Sequence, residues 1–449
     1  MLKIGLEIHV QLNTKSKIFC SCPTTGSEEP NSRTCEFCLG LPGSKPVFNQ
    51  EVLNQAVKIA LALNCKINKQ SFFSRKTYFY PDLPSSYQLT QYETPIATEG
   101  KFDNIKIKRT HMEEDPGKLI HESNHVLIDY NRSGIPLVEI VTEPEFTSSE
   151  QVRLFLQKLT TTLEYLKVYK RKSESALKVD INISYGGARV EIKNVGSVRD
   201  IYRALNYEIK RQKQSPAKEQ ETRGYNIDSR ETFLQRTKES EEDYGYITAP
   251  NLTKIEISDK QIKEIEKSLP ELEEEKTKRF IKQYKIKEPD AKVLTQDLIQ
   301  ADLFEQVAKK INHKLTTRWF IREIPRILNY NKLTIAEWGI TEKELTELLE
   351  LIQKNRITET TAQKILEKLS QKVFSPKEYV KKQNLELVSN SSDIEKLCDE
   401  AIKENQRAVQ DYKDGNKISL NFIFGQVMKK SKGTADPYQV KKILEKKLR

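Results

Sequence analysis

From its second residue the chain alternates. Ile4, Leu6, Ile8, Val10 and Leu12 are apolar, and the residues between them are polar or glycine. A period of two describes a half-buried strand with one face on a core. The same period gathers Glu7, His9 and Gln11 on the other face. Side by side, Glu7 and His9 either face solvent or serve as general base and metal ligand. On an isolated strand the solvent-facing reading is the commoner one.

Further along, strand and helix signals mix. Val126 to Asp129 and Leu137 to Val141 read as strands. Lys178–Ser184 and Arg189–Val195 alternate and are joined by Gly186-Gly187, a hairpin signal. Val52, Leu53, Ala56, Val57, Ala60 and Leu61 recur at helical spacing. Ser148-x-x-Gln151 opens a second apolar stripe as a capping box. Beyond about Leu269 the pattern turns helical and charged, as in Glu271–Tyr284 and Thr341–Gln353, and Ser375-Pro376 marks a further break. Asp436-Pro437 sets a capping residue before a proline at a helix start. The expected fold class is α+β: a β-rich domain over residues 1–270, a helical domain over 271–374 and a helical tail over 375–449.

Lys+Arg number 75 against 64 Asp+Glu, a net charge of +11. That excess suits a polyanion such as RNA, although a lysine-rich proteome gives the same balance. A strand pattern at the first residues leaves no room for a signal or transit peptide, and no run of eighteen apolar residues is present. A cytoplasmic protein is expected, or one made inside an organelle.

Several carboxylates share the setting of Glu7. His111-Met112-Glu113-Glu114-Asp115-Pro116-Gly117 is an acidic run closed by a turn, and Glu139 is flanked by apolar residues. A carboxylate inside an apolar run needs a cation or a metal. Asp180 with Asn182, and Glu191 with Lys193, share polar strand faces. Each alone is a routine surface charge. Together they suit an ATP–Mg²⁺ complex, whose hard cation takes oxygen ligands and keeps waters. No G-x-x-x-x-G-K-[ST] loop is present, so phosphoryl transfer here needs another scaffold. Lys76, before the aromatic run Tyr78-Phe79-Tyr80, can meet a phosphate, and the rings can stack on bases or pack inward.

Cys20-x-Cys22 and, twelve residues on, Cys35-x-x-Cys38 put four thiolates on two short turns. This is the spacing of a structural zinc knuckle, in which four protein ligands leave no open position.

In order, these stretches resemble the B subunit of the tRNA-dependent amidotransferase, the GatB family. Ile4-Gly5-Leu6-Glu7-Ile8-His9-Val10, Lys76-Thr77-Tyr78-Phe79-Tyr80-Pro81-Asp82 and His111-Met112-Glu113-Glu114-Asp115 carry the likeness. So do Asp129-Tyr130-Asn131-Arg132-Ser133-Gly134, Pro136-Leu137-Val138-Glu139-Ile140-Val141, Glu191-Ile192-Lys193-Asn194 and Gln220-Glu221-Thr222-Arg223. The segment Phe422 to Pro437 looks like the family's tail.

The resemblance implies a cradle-like catalytic domain, a helical domain and a tRNA-binding tail. It implies ATP-dependent amidation of Glu-tRNA(Gln) or Asp-tRNA(Asn) through a phosphorylated side-chain carboxylate. Ammonia then comes from glutamine hydrolysed by an amidase A subunit, along a shared channel, and a small C subunit can brace the complex. His9, Glu114 and Glu139 match the family's magnesium ligands. Glu7 matches the carboxylate at the channel exit, with Lys76 on the phosphate side. Some members lack the four cysteines, so zinc is not essential to the chemistry. Arg236 to Tyr246 keeps only part of the family pattern, with Gly245 in place of an arginine. The rival reading is a noncatalytic tRNA-binding scaffold.

Overall fold

The computed structural model describes residues 1–170, 176–237, 245–387, 391–414, 416–431 and 433–448. The chain divides into two compact units, Met1–Leu272 and Glu273–Arg449. No helix among the described residues is long and apolar enough to cross a membrane.

The first unit contains β1 (Leu2–Gln11), β2 (Lys66–Ile67), β3 (Gln70–Ser71), β4 (Ser74–Thr77), β5 (Tyr87–Thr90) and β6 (Ala97–Phe102). There follow β7 (Ile105–Glu114), β8 (Lys118–His121), β9 (Val126–Asp129), β10 (Pro136–Thr142), β11 (Leu177–Tyr185) and β12 (Val190–Val195). The last are β13 (Glu221–Asn226), β14 (Glu231–Thr237), β15 (Gly245–Thr248) and β16 (Ile255–Glu256). Its main sheet runs β14-β13-β12-β11-β1-β10-β7-β5-β4-β15, so the N-terminal strand is central. β1 pairs antiparallel with β10 and β11, and β12 pairs parallel with β13. A parallel pair needs a crossover, and helix α3 (Val198–Gln214), the third helix after α1 (Gln50–Ala62) and α2 (Ser149–Tyr165), supplies it.

One sheet face is apolar. Ile4, Leu6, Ile8 and Val10 are buried with Val52, Val57, Phe155, Leu159, Ile201 and Leu205 from the three helices. Phe155 stands edge-on to Phe146 at 5.0 Å and to Phe102 at 5.6 Å. Helix α2 starts where the sequence signals it, with the Ser148 hydroxyl accepting from the Gln151 amide. The hairpin between β11 and β12 turns at Gly186, whose φ of 73° lies in the region glycine favours.

Helix α3 is fastened to the sheet edge by a buried charge network. The Glu208 carboxylate, fully buried, accepts from Arg211 at 2.7 Å, Gln212 at 2.7 Å and Thr232 at 2.9 Å. Burial raises a carboxyl pKa, yet these donors hold Glu208 below its ordinary value. Its contribution is therefore present above the unfolded pKa and lost as pH falls through the folded one. Glu208→Ala leaves Arg211 and Arg223 facing a missing charge. It is expected to destabilise the first unit by about 3–5 kcal/mol, read from denaturant unfolding at neutral pH.

The second unit is helical and has two separate apolar clusters, one spanning Phe280 to Val380 and one spanning Ile394 to Leu448. Its helices include Glu273–Tyr284, Glu342–Gln353 and Pro437–Leu448, the last capped by Asp436. Ser375-Pro376 does not simply interrupt the chain. It opens the helix Pro376–Lys382, with Ser375 as N-cap and Val380 buried in the first cluster.

Candidate active site and cysteine cluster

Residues opposite each other in antiparallel strands share a face. His9 stands opposite Glu139 on one side and Lys178 on the other, and Glu139 stands opposite His111. Glu7 stands opposite Asp180, and Leu137 opposite Glu113. The face away from the helices therefore carries Glu7, His9, Glu113, His111, Glu139, Lys178 and Asp180. Of the two readings of β1, the sheet supports a shared polar face in the interior: Glu113, His111, Glu139 and Asp180 are buried.

The side chains converge. His9 Nδ1 lies 2.9 Å from Glu113 Oε1, and His111 Nε2 lies 3.2 Å from Glu139 Oε2. Ligand atoms of His9, Glu113 and Glu139 all fall within 4.8 Å of one another. Burial disfavours charge on His9, but the Glu113 hydrogen bond and the nearby Glu139 and Asp180 outweigh it, raising the pKa to about 10. Burial likewise opposes ionisation of Glu139. His111, His9 and Arg109 overcome it and hold Glu139 below the usual carboxylate range. The Nδ1 of His111 is buried without a hydrogen-bond partner. One half-buried imidazole and two buried carboxylates fit a divalent cation that displaces the His9 proton and keeps water or phosphate oxygens as its remaining ligands.

Glu114, expected among the ligands, lies outside this cluster, and Glu113 occupies the place beside His9 and Glu139. Val141 pairs with Arg109, but its neighbour Thr142 pairs with Ile107, so Lys108 is an extra residue in β7. Before the bulge Ile105 and Ile107 face the core. After it Thr110 and Met112 do, and Arg109, His111 and Glu113 turn to the polar face. Glu114 then points the other way and accepts from the Leu89 amide at 2.8 Å. Burial lifts its pKa to about 8.

Glu7 lies in a second acidic group with Asp180 and Glu191. Its Oε1 accepts from Asn182 at 2.9 Å. Lys193 reaches Asp180 at 3.1 Å and Glu191 at 2.7 Å. Burial, then Glu139, Asp180 and Glu191, raise the Glu7 pKa against the pull of Lys193. Such a carboxylate is a stronger base than a solvated one. Lys76 pairs with Gln88 and Tyr246, two residues along from Ser74, which pairs with Thr90 opposite Glu113. It lies on the same face, two strands beyond β7. In the divergent segment, residues 238–244 lie outside those described. Tyr246 stacks on Tyr92 at 4.3 Å, and Arg109 sits over the Tyr92 ring at 5.2 Å.

The four cysteines meet. Cys20 and Cys38 Sγ are 3.4 Å apart, and Cys35 and Cys38 are 3.8 Å apart. Four sulfurs about 2.3 Å from a tetrahedral zinc stand about 3.8 Å from each other, so the cluster already has the required size. The hydrogen bond between Cys20 and Cys38, with Lys17 beside it, lowers the Cys38 pKa to about 5 against burial. Lys17 is fully buried, 3.3 Å from Cys38 Sγ and 3.2 Å from the Tyr130 carbonyl. Lys17 and Arg109 carry no signal of their own in the sequence, and His111 and Glu113 stand there only as members of the acidic run. Nothing local marks a lysine as buried, and the face of the other three depends on the bulge.

A profile of the GatB/GatE catalytic domain matches residues 2–263, and one of the GatB domain matches residues 302–448. The chain is 43% identical to the B subunit of the aspartyl/glutamyl-tRNA(Asn/Gln) amidotransferase of Methanobrevibacter smithii, covering 99% of both chains. It is 41% identical to the protein of that name from Thermotoga petrophila, over 99% of this chain and 98% of that one. The Methanocaldococcus jannaschii protein is 42% identical over 100% and 98%.

Proposed function

Because the chain belongs to the GatB family of amidotransferase B subunits, we propose that it catalyses ATP-dependent amidation of glutamate or aspartate esterified to tRNA. The observation that carries this reading is the buried meeting of His9, Glu113 and Glu139, for which a pure RNA scaffold has no use. The proposal extends to three domains, 1–270, 271–374 and 375–449, and to assembly with an amidase A subunit.

A carboxylate is a poor electrophile, and its acyl phosphate is a good one. In the proposed sequence a side-chain carboxylate oxygen attacks the γ-phosphorus of ATP and ADP leaves. Ammonia nitrogen then attacks the acyl carbon and phosphate leaves, giving the amide. His9, Glu113 and Glu139 would hold the magnesium that accompanies ATP. That ion, when bound, offsets phosphate charge and orients the transferred group. His111 and Arg109 keep Glu139 ionised for this task. Lys76 reaches toward the phosphates from the far side of the face. Glu7, two residues from His9, takes a proton from arriving ammonium, which is not itself a nucleophile. Zinc on Cys20, Cys22, Cys35 and Cys38 is structural.

The test is an assay with misacylated tRNA, ATP, MgCl₂ and ammonium chloride. Conversion of Glu-tRNA or Asp-tRNA to the amide is expected without glutamine, and glutamine should substitute for ammonium only when the A subunit is present. Absence of amide under both conditions refutes the enzymatic reading.

A further inference from the structure

Two aromatic rings beside this face have no role in the reaction described above. Phe79 is 86% exposed and Tyr80 is 53% exposed, adjacent in the loop between β4 and β5. Exposed single aromatics are ordinary. Two consecutive rings held out from a braced loop are not, since hydrating them gains the isolated chain nothing.

The bracing comes from several sides. Leu83 is buried. The Tyr130 hydroxyl donates to the Pro81 carbonyl at 2.8 Å, and the Gly117 amide donates to the Asp82 carbonyl at 2.9 Å. Gly40, beside the cysteine cluster, approaches Pro84 so closely that a Cβ there would lie 2.5 Å from the Pro84 carbonyl oxygen. Pro81 and Pro84 restrict the backbone further. The loop is therefore fixed at the end of the sheet where Glu113 lies, because Gln88 donates to the Glu114 carbonyl and Gly117 stands three residues past the end of β7. Cations flank it, Lys76 at its start and Lys118 after Gly117, while Arg132 braces the turn through the Pro116 carbonyl at 3.0 Å and Asp115 at 3.2 Å.

We propose that Phe79 and Tyr80 form the stacking platform for the unpaired bases at the 3′ end of the tRNA. The inference rests on the amidation reading. Consecutive rings flanked by cations match stacked bases flanked by phosphates, which is how single strands are gripped without sequence readout. The amino acid is esterified to the terminal ribose, so a terminal base stacked on this loop brings the aminoacyl group to the end of the sheet where Glu113 lies. An adenine of ATP needs one ring, not two in sequence.

The experiment uses the assembled amidotransferase with Phe79→Ala, Tyr80→Ala and the double variant, and with Phe79→Tyr and Tyr80→Phe as ring-preserving variants. Each alanine is expected to raise KM for misacylated tRNA about tenfold, as about 1–3 kcal/mol per stacked base requires. The loss should fall on KM more than on kcat, and the ring-preserving variants should recover it. Unmodified protein should bind tRNA more tightly than the same tRNA trimmed of its unpaired 3′ nucleotides, and the double alanine variant should bind both equally. Unchanged KM for tRNA overturns the inference. So does a rise confined to KM for ATP, which assigns the rings to adenine, or a loss of A-subunit binding alone, which assigns them to a protein interface. If the unmodified enzyme amidates no tRNA, the functional reading falls first and this one with it.

Discussion

Glu113→Gln is expected to lower amidation about a thousandfold while tRNA affinity stays within about twofold. The substitution removes one of two carboxylates from the cluster with His9 and Glu139. Metal polarisation of a phosphoryl oxygen is worth several kcal/mol. About 4 kcal/mol corresponds to about a thousandfold at 1.36 kcal/mol per factor of ten. Glu114→Gln makes the contrast. Its carboxyl, with a pKa raised to about 8, is mostly protonated at neutral pH and accepts one backbone hydrogen bond from Leu89, which an amide oxygen also accepts. The expected loss there is below about tenfold. Steady-state rates with magnesium titrated for each variant distinguish the two neighbours. A larger effect at Glu114 than at Glu113 contradicts the assignment.

Cys38→Ser is expected to reduce bound zinc from about one per chain to near zero, measured by elemental analysis. It should also lower the thermal midpoint of the first unit by about 10 °C. Structural zinc sites contribute folding free energy outright. Losing even about 4 kcal/mol of it moves a domain of this size by roughly that amount. Stability is at stake because of what the cluster supports. Lys17 is buried against Cys38 and the Tyr130 carbonyl, so the loss strands a buried ammonium. Tyr130 in turn braces the aromatic loop at Pro81, and Arg132 in the same segment pairs with Asp115 at 3.2 Å. Chelation of the unmodified protein should reproduce the shift. A chain purified without metal and with an unchanged midpoint contradicts the zinc assignment.

Much of the fold is written in short periods. The alternation of β1, the Ser148 cap of α2, the Gly186 turn and the Asp436 cap are local features, and the structure forms each one. The α+β class follows from them. What one strand cannot say is which neighbours it pairs with. That β1 lies between β10 and β11 decides that His9 meets Glu139 and Glu7 meets Asp180. The choice between Glu113 and Glu114 lies further out of reach. Strict alternation from Ile105 puts Glu114 on the polar face, and a single extra residue at Lys108 reverses it. A bulge is set by its partner strand, so it leaves no mark in the segment itself. The four cysteines are the opposite case, because their spacing alone brings them together.

The account turns on a phosphorylated side-chain carboxylate, and oxygen isotope transfer tests it most directly. Misacylated tRNA whose glutamyl side-chain carboxylate carries ¹⁸O in both positions is amidated with unlabelled ATP and ammonium chloride. Attack of that carboxylate on the γ-phosphorus, followed by displacement of phosphate, carries one ¹⁸O into each released phosphate. The predicted result is one labelled oxygen per phosphate for each amide formed. Amide formation with wholly unlabelled phosphate contradicts it.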